Sequence, residues 1–197
     1  MWVVKLGGSL GLDPLLPQWL HTIAAVGRGR VVVVPGGGTF ADEVRKVQKS
    51  WGFSDLAAHN MAVLAMAQYG HQLLGMQTDL VQAARKEDVP PVLRQGRVAV
   101  WLPLELQREA VDKKTNWEAT SDTIALDLAV DMRAEGLVIV KSCQAQGCTL
   151  AQLSASGVVD REFAQAADAA GLRVVVMERE ASASLRELLA GGRPAGP

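Results

Sequence analysis

The stretch "VVKLGGSL", Val3–Leu10, decides how this chain is read. An apolar run carries one lysine, Lys5, near its end and then passes into two glycines and a serine. The apolar residues are continuous rather than alternating, which suits a parallel strand covered on both faces. A lysine at the end of such a strand must reach an anion or bear a large desolvation cost, unless its side chain snorkels to the surface. The glycines leave backbone N–H groups unshielded and permit positive φ, so they can cradle a phosphate or simply make a tight turn.

The same pattern recurs along the chain. "RVVVVP", Arg30–Pro35, runs into "GGGT", Gly36–Thr39, and "LVIVK", Leu137–Lys141, runs into "SC". "RVVVM", Arg173–Met177, is another Val-rich run, and "RVAVWL", Arg97–Leu102, adds a further candidate strand. Helical spacing lies between them. Phe40, Val44 and Val47 follow "GGGT", and Ile124 and Leu128 follow "ATSD". Asp160 is placed to N-cap a helix carrying Phe163, Ala167 and Ala170, and Leu185, Leu188 and Leu189 mark a last helix. Strands alternating with helices predict one α/β domain with a mainly parallel sheet over residues 1–190. The Gly- and Pro-rich end, 191–197, is expected to fray. The helix expected over Leu56–Leu74 is apolar or small on nearly all sides, with Met61, Leu64, Met66 and Leu73 on different faces. That fits either a central helix of the core or a subunit contact in a homo-oligomer.

Composition narrows the function. The 197 residues are 49% hydrophobic and 21% charged, with a formal net charge of -1. That balance gives no reason to expect nucleic acid or an anionic membrane as a partner. No basic, apolar leader is evident at the N-terminus, and no window reaches the roughly 18 uninterrupted apolar residues of a membrane span, so a cytoplasmic protein is expected. Cys143 and Cys148 lack a second ligand pair for zinc and read as reduced thiols. His21, His59 and His71 lack metal-ligand spacing and are expected on helix-packed or surface positions; no protein metal site is expected.

In open α/β sheets ligands bind beyond the carboxyl ends of the strands. Lys5 and Lys141 stand at two such ends, and Asp122 sits in the first turn of a helix, where a carboxylate can serve as a cap. In that role Asn would replace it without loss of stability. Taken together, two lysines and an aspartate at one sheet edge read as a charge-balanced phosphate site. There is no Walker A motif, because no Gly-Lys pair exists. "GGGTFA" does satisfy G-x-G-x-x-A after a strand, with Asp55 at a tolerable distance for a ribose contact, which leaves a dinucleotide-dependent oxidoreductase open.

"VVKLGGSL", "VVVVPGGGTFADEVR" and "WEATSDTIALDLA" resemble, in this order, the amino acid kinase superfamily, from the first residues to about Val176. "PGGGTFADEVR" and "TSDTIA" are most similar to the small (aminomethyl)furanylmethyl phosphate kinases of furan C1-carrier (methanofuran and methylofuran) synthesis. The resemblance implies a three-layer αβα sandwich and ATP-dependent phosphorylation of a phosphate monoester, with Mg²⁺ arriving on ATP. It implies that Lys5 meets the ATP phosphates and the migrating phosphoryl group, beside Gly7, Gly8, Ser9 and Ser121. Gly36, Gly37 and Gly38 would cradle the acceptor, and Asp122 would orient the catalytic lysines, with Lys141 contacting nucleotide. An ammonium on the acceptor would need a carboxylate, for which Asp42 and Asp55 are the candidates. The segment after Lys141 lacks the further lysine of longer relatives. Isopentenyl phosphate or a nucleoside monophosphate are alternative acceptors, and a non-catalytic nucleotide- or oxyanion-binding protein is the alternative from another class.

Overall fold

Apolar runs buried on both faces need a layer on each side. The computed structural model, which describes residues 1–111, 120–142, 148–159 and 161–191, supplies both. Strands β1 (Trp2–Leu6) and β2 (Val31–Pro35) are buried at every position. They are joined by β3 (Leu80–Ala83), β4 (Val98–Trp101), β5 (Gly136–Lys141) and β6 (Val174–Glu178) in the order β3-β4-β2-β1-β5-β6. Every pairing is parallel. Sequence reading finds five of these strands and misses β3. That strand is a four-residue edge whose "LVQA" includes an exposed Gln82, so it lacks the doubly buried signature of the others.

Side chains alternate between two cores, as strand geometry requires. Val4, Leu6, Val31, Val33, Val138 and Val140 face one core. It is closed by α1 (Leu16–Val26), by Ala67, Tyr69 and Leu73 of α3 (Asp55–Met76), and by α8 (Ser182–Leu189). Val3, Val32, Val34, Leu137 and Ile139 face the other. Here α4 (Val89–Arg94), α5 (Ser121–Asp131), α6 (Leu150–Ala155) and α7 (Arg161–Ala170) pack. The result is the three-layer αβα arrangement. Leu185, Leu188 and Leu189 are buried as the helical spacing predicts. Phe163 and Ala167 are buried too, while Ala170 is exposed. The expected cap Asp160, Cys143 and tail residues 192–197 lie outside the described residues. In α2 (Gly38–Trp51) Val44 is buried, but Phe40 faces outward at 41% exposure.

The topology fixes where a ligand can sit. The connection leaving β1 passes through α1 on one face of the sheet, and the one leaving β5 passes through α6 and α7 on the other. Adjacent parallel strands whose connections diverge in this way open a crevice at their carboxyl ends. The crevice therefore lies between β1 and β5, at Lys5 and Lys141. The dinucleotide alternative fails on the same topology. The glycine-opened helix α2 runs directly into α3, which begins at Asp55, with no strand between them to hold that acid over a ribose.

Helix α3 is capped by Ser54, whose Oγ accepts from the Ala57 N–H at 3.3 Å. It buries Ala58, Val63, Ala65, Met66, Ala67, Tyr69, Gly70 and Leu73, while Met61 and Leu64, three residues apart, are 38% and 43% exposed. Its apolar character on all sides thus combines a core face with an outward apolar face. A second copy of the chain is the partner we expect over Met61 and Leu64. Light scattering of the wild type at micromolar concentration should give at least a dimer, and Met61→Glu/Leu64→Glu should lower the mass. A monomeric wild type would reject this contact.

Candidate active site

Parallel pairing sets Lys5 opposite Ile139 and Leu6 opposite Val140. Lys5 therefore lies on the same face as Val3, and Lys141, two residues beyond Ile139, on the same face of β5. The N-terminus of α5 covers that face. Asp122, the second residue of α5, inserts its carboxylate between the two lysines. Lys5 Nζ is 2.6 Å from Oδ1 and Lys141 Nζ is 2.5 Å from Oδ2. Lys5 and Asp122 are 4% and 3% exposed, whereas the Lys141 side chain retains 20%. Burial alone would raise the Asp122 carboxyl, but the charges of Lys5 and Lys141 more than reverse this and hold it below the usual carboxylate range. Capping does not account for Asp122. The cap position belongs to Thr120, and the carboxylate is spent on the lysines.

Two glycine loops meet beside this hub. A Cβ on Gly8 would stand 2.1 Å from Gly38 N, and one on Gly36 would stand 2.6 Å from Gly8 N, so the loops pack backbone on backbone. Gly38 has φ +57°, in the region that glycine adopts most readily. The second loop opens α2 directly, as expected of an anion cradle. The first does not open an α-helix; it enters a short 3-10 turn, Gly8–Leu12, ahead of α1. Gly7 donates its N–H to Val140 O at 3.1 Å, and Ser9 Oγ donates to Ser142 Oγ at 3.0 Å. The first loop is thereby tied to the end of β5.

A groove of about 330 Å³ runs between the loops, lined by Gly8, Ser9, Gly37, Gly38, Asp42 and Ser121 among others. It shares Gly37, Ala41, Arg45 and Ser121 with a narrower slot of about 90 Å³. The slot is walled by Ala62, Val63, Met66 and Ile124, with Asp55, His59 and Thr120 as polar lining. Asp55 accepts from Gln48 Nε2 at 2.9 Å. Asp42 instead accepts from Arg45 Nη1 at 2.9 Å. His59 Nε2 donates to the Leu106 carbonyl at 3.0 Å, a helix-packed role that also places its ring in the slot wall. His21 and His71 are exposed. Arg45 and His59 escaped the sequence reading as site residues. The signal for Arg45 was present: it stands seven residues after Gly38, two helical turns along one face of α2. Among the described residues no three His, Cys, Asp or Glu side chains gather as metal ligands, and no helix is long and apolar enough to cross a membrane.

Two lysines fixed by a shared carboxylate thus stand beside two glycine loops at the switch point of a parallel sheet. The model of the amino acid kinase family matches residues 1–145, and the chain belongs to that family. It is 30% identical, over 129 residues, to the [5-(aminomethyl)furan-3-yl]methyl phosphate kinase of Methanocaldococcus jannaschii. That match takes in 64% of this chain and 58% of the relative. Among solved structures, uridylate kinase from Archaeoglobus fulgidus superposes with a TM-score of 0.70 at 16% identity, covering 97% of this chain and 96% of its own. UMP kinase from Bacillus anthracis gives 0.73 at 15% identity, over 99% and 93%. An isopentenyl phosphate kinase gives 0.65 at 12%, over 100% and 98%.

The hub makes a stability prediction opposite to that of a helix cap. Asp122→Asn removes the buried charge that Lys5 and Lys141 share, which costs about 3–5 kcal/mol and lowers Tm on the order of 10 °C. Because the folded carboxyl is depressed, its contribution is complete above the unfolded value near ~3.9 and fades as pH falls through the lower folded value. Calorimetry should therefore show the wild-type and Asn variant stabilities converging only in acid. Equal Tm values at neutral pH would return Asp122 to the role of a replaceable cap.

Proposed function

We propose that this chain is an ATP-dependent kinase that converts a phosphate monoester into a diphosphate, with [5-(aminomethyl)furan-3-yl]methyl phosphate as the acceptor. The observation that carries this reading is the single buried carboxylate joined to two lysines at the β1/β5 crevice. In the reaction, the bond from the ATP γ-phosphorus to its bridging oxygen breaks and ADP keeps the electron pair. An oxygen of the acceptor phosphate forms the new P–O–P bond. That oxygen is already ionised, so no general base is required, and catalysis rests on positioning and charge neutralisation.

Lys5 meets the charge that spreads over the migrating group, Lys141 contacts the nucleotide phosphates, and Asp122 fixes both ammonium groups. Gly8, Ser9 and Ser121 bind ATP phosphates, and Gly37 and Gly38 offer amides to the acceptor; the N–H groups of Gly7 and Gly36, expected to do the same, are instead spent on the carbonyls of Val140 and Leu6 and hold the two loops in place. Mg²⁺ would supply further neutralisation and would be held chiefly by ATP oxygens and water, since the Asp122 carboxylate is already committed to the two lysines. The slot beside Gly37 is apolar enough for a small ring, and Asp55 on its wall is the carboxylate for an ammonium at the far end. The sequence relationship to the furan kinase favours this acceptor over isopentenyl phosphate or UMP.

An ATP-consumption screen over those three monophosphates tests the assignment. The furan phosphate should be used best. Use of another monophosphate alone would overturn the acceptor and leave the kinase, and no consumption with any would overturn both. Lys5→Ala should lower kcat by roughly 10²–10³ with the fold retained, and near wild-type turnover would return Lys5 to a structural role. Asp55→Asn should raise KM for the amine-bearing acceptor and leave KM for ATP unchanged. An unchanged acceptor KM would remove Asp55 from the site.

A further inference from the structure

We propose that Gln72 is a positioning residue for the first glycine loop: its side-chain amide holds the carbonyl of Gly11 and so sets where Gly8 and Ser9 meet the ATP phosphates. The inference rests on the kinase reading above for what the loop binds, and it assigns a residue of α3 that touches no substrate.

The local sequence creates the need for an outside donor. After Gly7 the chain makes the 3-10 turn Gly8–Leu12. The Leu10 N–H donates to Gly7 O at 3.0 Å, and the Asp13 N–H to Leu10 O at 2.9 Å. By the same logic the Gly11 carbonyl would look to an N–H three or four residues further on. Pro14 has none. The Leu15 N–H is spent on Asp13 Oδ1 at 2.9 Å. Gln72 Nε2 meets the Gly11 carbonyl instead, at 2.7 Å and from 61 positions away in sequence.

The surroundings make that bond a support of the turn. Tyr69 and Gln72 lie three residues apart on one face of α3. The Tyr69 ring lies against Gly11, where a Cβ would come within 3.4 Å of its Cε2. Beside these residues is a cavity of about 60 Å³, lined also by Gly8, Leu12, Gly38 and Phe40. The turn is therefore not wedged by close packing on that side, and it has room to shift once the amide is removed. Gly7 and Ser9 tie the start of the loop to the end of β5. Its far end is held by Gln72 and by Asp13, which accepts from Arg179 Nη1 at 3.2 Å. The slot is walled by an earlier part of α3, at Ala62, Val63 and Met66. Loss of the Gln72 amide thus falls on the ATP side of the crevice and spares the acceptor side.

Amide hydrogen exchange and initial-rate kinetics on the full chain test this together. In ligand-free protein, Gln72→Ala should speed exchange at the Leu10 and Asp13 amides and leave β2 unchanged. With whichever of the three monophosphates is used, it should raise KM for ATP roughly three- to tenfold, the worth of one hydrogen bond, with acceptor KM within about twofold. Gln72→Glu keeps the shape but has no N–H to donate, so its loss should be at least as large. Gln72→Lys, which can donate, should recover part of it. Faster exchange in the variant, with a wild type that neither binds nor consumes ATP, would support the hold on the turn and overturn the kinase reading instead. Unchanged exchange at both amides would overturn the inference, and so would faster exchange with an unchanged KM for ATP. A Gln72→Glu variant that behaves as wild type would overturn it too, because shape without a donor would then suffice.

Discussion

One carboxylate between two ammonium groups organises this molecule. Asp122 reaches down from the first turn of α5 and joins Lys5 of β1 to Lys141 of β5, with both contacts near 2.5 Å. Buried charges are expensive, and they persist only where partners are held in good geometry. The two strands must therefore be neighbours in matched register, and the helix must start over their carboxyl ends. The β1–β5 ladder and the packing of α5 on the Val3–Ile139 core supply those conditions. The glycine loops follow from the same constraint. Atoms beyond Cα on Gly8 or Gly36 would push the loops apart and move the groove away from the lysines.

The groove and the slot divide the chemistry. Gly8, Gly37 and Gly38 line the groove together with Ser9 and Ser121. Ala62, Val63, Met66 and Ile124 give the adjoining slot an apolar wall. Ser121 lines both cavities and is the residue next to Asp122, so a single turn of α5 carries the hub's carboxylate and the boundary between the groove and the apolar-walled slot.

Much of this was legible in sequence, because doubly buried parallel strands and glycine-rich exits leave local marks. Lys5, Lys141 and the Gly36–Gly38 loop could each be placed at a strand end from their own neighbours. Strand order could not. That Lys5 and Lys141 share a face depends on β5 pairing with β1, a contact between residues more than a hundred positions apart that no local pattern encodes. Asp122 taken alone reads as a cap, and its grouping with Lys5 and Lys141 at one sheet edge is what pointed to the contacts the structure shows. Strand β3 was missed because an edge strand needs no continuous apolar run. Arg45 was missed because an i,i+3 partner makes it look like an ordinary surface pair, and the groove it borders exists only after α2 and α5 are brought together.

The central claim is that this crevice moves a phosphoryl group onto the oxygen of another phosphate. Phosphorus NMR of the wild-type protein with Mg²⁺, ATP and [5-(aminomethyl)furan-3-yl]methyl phosphate tests it most directly. The account predicts that the acceptor singlet is replaced by the paired doublets of a P–O–P linkage, in step with ADP and with no build-up of inorganic phosphate. ATP that is left intact, or that is split to ADP and inorganic phosphate with the acceptor singlet unchanged, would contradict it.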